Sequence, residues 1–258
     1  MWNRNRKEKE WKLVEKQEEK IRKKAFSKEV LPWKKTLEEK VPAGVQERLA
    51  KEFGRAFSIV FEKGTAVIEK TYNKENIKVE HEVQDYAVNR KGGRKEFRSL
   101  HKTAKKANQR NMLITTAEGI GLGVLGIGLP DIVLFTGMLL KGIYETALSY
   151  GFDYEDPVEQ MRILKMIEVA VSKGEDWELL NEQLEKEWSQ DVWDIPTDEM
   201  RKEQIMRTAN ALAMDMVFLK FVQGLPVVGV IGGAGNPVYY DKILQYVQVK
   251  YKKHYLMK

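Results

Sequence analysis

The chain of 258 residues contains no cysteine, so disulfides and thiolate metal sites are excluded, and the absence fits a reducing compartment. Its first residues, MWNRNRKEKEWKLVEK, include no apolar stretch of the kind found in secretory signals. We therefore expect the protein in the cytoplasm.

Motifs for common chemistries are missing too. No phosphate-binding G-x-x-x-x-G-K-[ST] and no G-x-S-x-G occurs, and the histidines are far apart, at positions 81, 101 and 254. The string Gly121 to Gly126 satisfies G-x-G-x-x-G, but no clear strand precedes it and Pro130 interrupts the helix that should follow. We expect no metal, no cofactor and no defined catalytic set.

Long uninterrupted apolar runs are also lacking. A membrane-spanning helix needs about 20 apolar residues, but the run from Gly119 is broken at Pro130-Asp131 and the run from Gly224 to Gly235 has only 12. Both runs are rich in glycine, share the string Gly-Leu-Pro and have small-residue spacing, at Gly119 and Gly123, and at Gly229 and Gly233. They predict helical hairpins or broken helices that touch a membrane from one side, or two buried core helices.

Charge is spread unevenly. Residues 1–110 carry 30 Lys and Arg against 17 Asp and Glu, whereas residues 111–258 carry 14 against 21. Nine basic residues and one acid lie between Arg90 and Arg110, directly before the first apolar run. We predict that this block attracts anionic lipid, because each cation near a charged bilayer contributes about 1 kcal/mol. The residues expected to bind lipid are Arg94, Lys95, Arg98, Lys105 and Lys106. A solvated helix face is the alternative, and nucleic acid is not expected as a partner because Phe97 alone offers a stacking surface.

The hydrophobic periodicity is almost wholly helical. Residues 1–40 predict a charged helical extension or surface helix, and residues 41–258 a single domain. Residues 77–88 fit a strand or a helix equally well. We predict an all-α, multi-helix bundle in which the helices over 131–150 and 237–250 pack together, with both glycine-rich runs at one end.

Carboxylates near the apolar sequence are the remaining candidates for chemistry. Asp131 and Asp241 follow prolines at predicted helix starts, where an acid satisfies the free amides and the helix dipole. Asp153 and Asp156 are expected to cap the helix that begins at Pro157. The alternative for Asp131 and Asp241 is a buried acid that acts on a substrate or a proton.

The string GLPDIVLFTGMLLKGIYETALSYGFDYEDPVEQMRILKMIEVA resembles the signature of the EcsC family, and GLPVVGVIGGAGNPVYYDKILQYV resembles its C-terminal segment. The resemblance covers roughly residues 113–251. It implies a bacterial protein whose founding relatives are encoded beside an ABC exporter, the Ecs system, and it implies no settled activity. It also implies structural roles, rather than catalytic ones, for Gly128, Pro130, Asp131, Tyr150, Gly151, Asp153 and Pro157.

From these observations we expect a non-enzymatic accessory protein, peripherally bound to the cytoplasmic membrane face through lipid or a membrane protein such as an exporter. A peptidase-like hydrolase using the embedded carboxylates, and a soluble helical interaction domain, are the alternatives. The sequence leaves the oligomeric state open.

Overall fold

The chain folds into an all-α bundle, as the sequence predicts. The computed structural model describes residues 4–27, 44–61, 65–114, 130–189, 195–222 and 237–258, and these ranges contain no strand. The helices are α1 (Arg4–Ala25), α2 (Val45–Ile59), α3 (Thr65–Glu69), α4 (Lys74–Lys91), α5 (Arg94–Ile114), α6 (Pro130–Ser149), α7 (Pro157–Val171), α8 (Gly174–Ser189), α9 (Asp198–Val222) and α10 (Pro237–Met257).

Local capping explains several helix starts. The side chain of Asn73 accepts a hydrogen bond from the Asn76 amide at 2.9 Å and caps the start of helix α4. Residues 77–88 lie inside this helix and not in a strand. Thr197 accepts from the Met200 amide at 3.2 Å at the start of α9. Asp156 accepts from the Val158 amide at 2.9 Å, immediately before Pro157 in the first turn of α7. The cap expected at Asp156 is confirmed, whereas Asp153 accepts from the Glu155 amide in the turn before the helix.

Helix α6 lies at the centre of the bundle and contacts α2, α3, α4, α5 and α10. Its described side chains are buried almost without exception. Three buried hydroxyls, those of Thr136, Thr146 and Ser149, donate to carbonyl oxygens four residues earlier in the same helix, at 2.8, 2.7 and 2.7 Å. A helix surrounded by protein therefore satisfies its own polar side chains.

Helices α6 and α10 run in parallel and in contact. Near their starts the rings of Phe135 and Tyr239 lie 6.0 Å apart, and near their ends those of Tyr150 and Tyr255 are also 6.0 Å apart. Between these pairs, a Cβ at Gly142 would overlap the Tyr240 hydroxyl, so only glycine admits this close approach. The predicted packing of these two helices is confirmed, and both glycine-rich runs lead into neighbouring helix starts. The runs themselves, with Gly119, Gly123, Gly128, Gly229 and Gly233, lie outside the described residues.

The turn between α6 and α7 ends the central helix with Gly151 in the left-handed conformation, at φ +73°. The Phe152 amide bonds the Ala147 carbonyl and the Gly151 amide bonds the Leu148 carbonyl, both at 3.0 Å, which is the Schellman pattern. His81 of α4 packs against Gly151 and donates from Nδ1 to the Ser149 carbonyl at 3.0 Å. This turn therefore requires glycine twice, for its dihedral angle and for the close histidine.

Tyr150 and Asp153 complete the same turn. Tyr150 is buried, and His101 Nδ1 lies 3.1 Å from its hydroxyl. Asp153 accepts from the Glu155 amide at 3.0 Å. Both residues therefore hold the chain between α6 and α7.

Helix α1 packs on α10 and α8 through ion pairs as well as apolar contacts. Glu18 pairs with Lys250 and Lys253 of α10, and Lys250, whose side chain is fully buried, also pairs with Glu185 of α8. Glu10 pairs with Lys252 at 3.2 Å, and Val14 is buried between these contacts. The boundary expected at residue 40 falls within residues 28–43, which the structure does not describe, and stays a prediction.

Burial opposes ionisation of the α1 carboxylates, but neighbouring positive groups outweigh it. The hydrogen bond with His101 and the charge of Lys252 lower the pKa of Glu10 to about 2. Burial likewise opposes ionisation of Glu18 and Glu185, whereas Lys250 and Lys253 lower the pKa of both. Burial lowers the pKa of His101 and His254. The ionised carboxylates and neutral histidines therefore belong to the folded state.

Replacement of Glu18 by Gln should destabilise the protein by about 1–3 kcal/mol, because the buried Lys250 ammonium loses a charged partner. Glu19→Gln, one residue along and half exposed, is the matched control and should change the stability by at most about 0.5 kcal/mol. The free energy of unfolding is measured in urea. Equal effects of the two variants would mean that the α1 ion pairs do not support the fold.

Acid should weaken the fold in two stages. A carboxylate or histidine whose folded pKa is depressed stabilises the protein above its unfolded pKa and loses that contribution as the pH falls. Protonation of His101 and His254 lowers the free energy of unfolding first, below about pH 6.5. Protonation of Glu10, Glu18 and Glu185 lowers it further between about pH 4.5 and 2. Unfolding at about pH 7, 5.5 and 3.5 measures this, with hydrogen exchange to follow α1. Constant stability across that range would contradict the assignment.

Replacement of Gly151 by Ala should destabilise the protein by about 2 kcal/mol or more, from the left-handed backbone and the overlap with His81. Gly174→Ala is the control, because Gly174 also has positive φ, at +59°, but has open space where the methyl would lie. It should cost only about 1 kcal/mol. Thermal and urea unfolding measure the free energy of unfolding of both variants. An equal loss at the two positions would mean that the overlap with His81 contributes nothing to the effect at Gly151.

Candidate functional site

The α4–α5 hairpin presents a cluster of cations at its tip. Gly92, at φ +57°, ends α4 with its amide bonded to the Val88 carbonyl at 2.7 Å, and α5 begins two residues later. Six basic side chains are exposed around this turn or on the first turns of α5. We call them the tip cations: Arg90, Lys91, Arg94, Lys95, Arg98 and Lys102.

The tip cations have no acidic partner among the described residues. Within the part of the chain that the structure describes, no Asp or Glu oxygen lies within the 4.0 Å ion-pair distance of any of them. The single acid nearby, Glu96, turns back toward Gly93 at the start of α5, where the helix dipole favours a negative charge. The surface of the hairpin tip is therefore positive and uncompensated.

The hairpin is held rigidly against the bundle. Val88 of α4 and Phe97 and Leu100 of α5 are buried in the core. Between the two helices, Gln84 Nε2 donates to Thr103 Oγ1 at 2.8 Å. The tip cations are thus carried on packed helices rather than on a free tail.

An apolar stripe lies beside the tip cations, on the exposed face of α4. Val79, Val83 and Tyr86 are 57%, 63% and 70% exposed and follow the helical spacing of four and three residues. This stripe is not evident from the sequence alone, because residues 77–88 fit a strand and a helix equally well. On a helix, the stripe lies opposite the packed face that contains His81 and Val88.

Of the residues expected to bind lipid, Arg94, Lys95 and Arg98 lie together at the tip. Lys105 and Lys106 lie farther along α5, and their side chains are outside the described part. Helix α5 has 21 residues and is about 30 Å long. The tip lies at the start of this helix, whereas the first glycine-rich run follows its end in the sequence and lies outside the described residues.

Of the carboxylates near the apolar sequence, Glu145, Asp215 and Asp241 have described side chains and lie in separate places. Asp215 of α9 is buried with Lys173 and Lys242, whereas Glu145 of α6 acts electrostatically on Tyr72, whose hydroxyl bonds Tyr154. Asp241 is exposed just beyond the first turn of α10. Asp131 is the second residue of α6, as expected for a helix start, but its side chain is not described.

The lysines around Asp215 could not be found from the sequence. Lys242 lies 2.6 Å from one Asp215 oxygen and Lys173 pairs with the other, although the three residues belong to α10, the α7–α8 turn and α9. Burial, opposed by Asp215, lowers the pKa of Lys173 to about 8. The chemistry available here is a buried ion cluster with one weakly basic amine.

In the described ranges, no group of three or more His, Asp or Glu side chains is arranged to hold a metal ion. Nor do these ranges contain a helix with the length and hydropathy needed to cross a bilayer.

The comparison with known families agrees with the resemblance in the glycine-rich and aromatic segments. The chain has no significant match among curated proteins or among solved structures. The sequence profile of the EcsC protein family matches residues 5–256, which includes α1 and the tip cations as well as the signature segments. Because the match spans nearly the whole chain, this protein belongs to the EcsC family.

Proposed function

We propose that the protein is a non-enzymatic accessory protein that docks on an anionic membrane surface through the tip of the α4–α5 hairpin. The observation that carries the proposal is the group of six exposed tip cations without acidic partners among the described residues. At about 1 kcal/mol per cation, they supply several kcal/mol of attraction to anionic headgroups.

The apolar stripe supports the same orientation. Tyr86 lies one helical turn before Arg90, with Val83 a further turn back, so a membrane touching the tip cations also meets these side chains. Tyrosine favours the headgroup region, because its ring is apolar and its hydroxyl stays hydrated. Glu75 and Glu82, which are exposed at earlier positions of α4, would repel an anionic surface. The contact is therefore limited to the tip and the last turns of α4.

The distribution of carboxylates supports a non-enzymatic role over the hydrolase alternative. Glu159 accepts from Tyr251 at 2.7 Å, and Glu168 accepts from Gln204 at 2.6 Å. Asp215 holds two lysines. Each of these acids has a structural partner, and Glu159 lies outside the depression of about 370 Å³ that Glu168 and Asp215 both line.

The membership in the EcsC family supports a location beside a membrane transporter. The EcsC resemblance implies a bacterial protein whose founding relatives are encoded beside an ABC exporter, so the docked protein would lie on the cytoplasmic face near a membrane partner. The lipid contact and the exporter contact are separate parts of this proposal, and the vesicle experiment tests the first.

Neutralisation of Lys91, Arg94, Lys95 and Arg98 to Gln should weaken binding to vesicles of phosphatidylcholine and phosphatidylglycerol at least about tenfold, since four attractions of about 1 kcal/mol are lost. The fold should persist, because exposed charges contribute little to stability. Co-sedimentation measures binding, with pure phosphatidylcholine vesicles as reference.

The matched control neutralises four exposed lysines of α1, Lys12, Lys16, Lys20 and Lys24, and so removes the same charge from another surface. Its binding should change by less than about threefold, reflecting only the net charge. Equal losses in both variants, or equal binding to neutral and anionic vesicles at low salt, would refute docking through the tip.

A further inference from the structure

A groove runs between helices α7, α8 and α9, on elements that the proposed docking does not use. It consists of two adjoining depressions of about 180 and 370 Å³. Both are lined by Glu168, Leu180 and Arg207, so they form one continuous surface feature. We call it the α7–α9 groove.

Apolar side chains, three of them methionines, lie between polar ones along the groove. Leu179 and Met200, at the edges, are 56% and 49% exposed, so a partner that enters the groove can cover both side chains. Methionine is flexible and polarisable, so it adapts to varied apolar side chains. The apolar lining includes Met161, Leu180, Leu184, Met200 and Met214.

The charge of the groove is negative. Five acidic and three basic side chains line it, and Glu203 is exposed without an ion-pair partner among the described residues. Helix α8, which forms one wall, has six acids and one lysine in the sequence GEDWELLNEQLEKEWS. Three of these acids, Glu175, Asp176 and Glu182, are exposed.

One ion pair marks the middle of the groove. Glu168 accepts from Gln204 at 2.6 Å and from Arg207 at 3.2 Å, and the Arg207 side chain is half exposed. An incoming cation can replace Arg207 as the partner of Glu168 without breaking the buried bond to Gln204. The groove thus combines apolar pockets with a carboxylate that a bound positive group can reach.

We propose that the α7–α9 groove is a docking site for a basic amphipathic helix of a partner protein. Apolar residues on one face of such a helix, three or four positions apart, fill the methionine-lined depressions. Lysine or arginine beside them face the acids of α8 and α9. The charge of the groove selects this occupant over an acidic helix and over an anionic lipid surface.

The test uses the full-length protein and a labelled amphipathic helix of leucine and lysine, with the leucine–glutamate helix of the same pattern as reference. Fluorescence anisotropy should show binding of the lysine peptide and no measurable binding of the glutamate peptide. Failure of the lysine peptide to bind, or equal binding of both, would overturn the proposal.

Paired variants locate the site. Leu179→Lys with Met200→Lys should weaken binding of the lysine peptide at least about tenfold through lost apolar contact and added repulsion. Leu13→Lys with Met257→Lys is the matched control, since these residues are 49% and 46% exposed and the charge change is identical. Loss in the control equal to that in the groove variant would refute the assignment.

Two further measurements separate this proposal from the others. Methyl NMR of labelled methionine should show peptide-dependent shifts of Met200 and Met214 and an unchanged Met257 signal; the reverse would place the peptide elsewhere. The protein with neutralised tip cations should retain peptide binding, so failure of membrane docking leaves this result intact. A dimer that dissociates on Leu179→Lys with Met200→Lys would assign the groove to a second copy and reject a partner helix.

Discussion

The enclosure of helix α6 by its neighbours is the constraint on which the rest of the bundle depends. A helix with protein on all sides leaves no polar side chain to water, so each must find a partner inside. Thr136, Thr146 and Ser149 use the carbonyl oxygens of α6 itself, and Lys141 reaches the Thr71 carbonyl at 3.4 Å. Gly142 gives α10 room to lie alongside.

Ion pairs allow several charged side chains to be buried in the bundle, whereas most other charges lie on the surface. Lysines of α10 are bound by acids of α1 and α8, and Lys250 is fully buried among them. These pairs join the N-terminal helix to the C-terminal one, although more than 200 residues of chain separate Glu18 from Lys250. Removal of one partner would leave a buried charge, whereas most exposed charges could change with little effect on stability. The tip cations differ from the α10 lysines because no acid among the described residues neutralises them.

The two proposed surfaces have opposite charge and lie on different helices. The tip of the α4–α5 hairpin is positive, whereas the α7–α9 groove is negative and lined with methionine. A membrane and a partner helix would therefore not compete for the same residues. This arrangement suits an accessory protein that joins a lipid surface to a protein, and it requires no catalytic group.

The sequence by itself determined the helical class, most helix boundaries and the cap at Asp156, because periodicity, proline position and capping side chains act over a few residues. The Gly-Leu-Pro string that precedes both helices also predicted the contact between the helices after Pro130 and Pro237. Only the tertiary structure decided that Asp215 binds Lys173 and Lys242, that Lys250 is buried, and that Val83 and Tyr86 are exposed. These features depend on which helix faces meet across long stretches of chain, and a linear pattern of charge and hydropathy does not specify that.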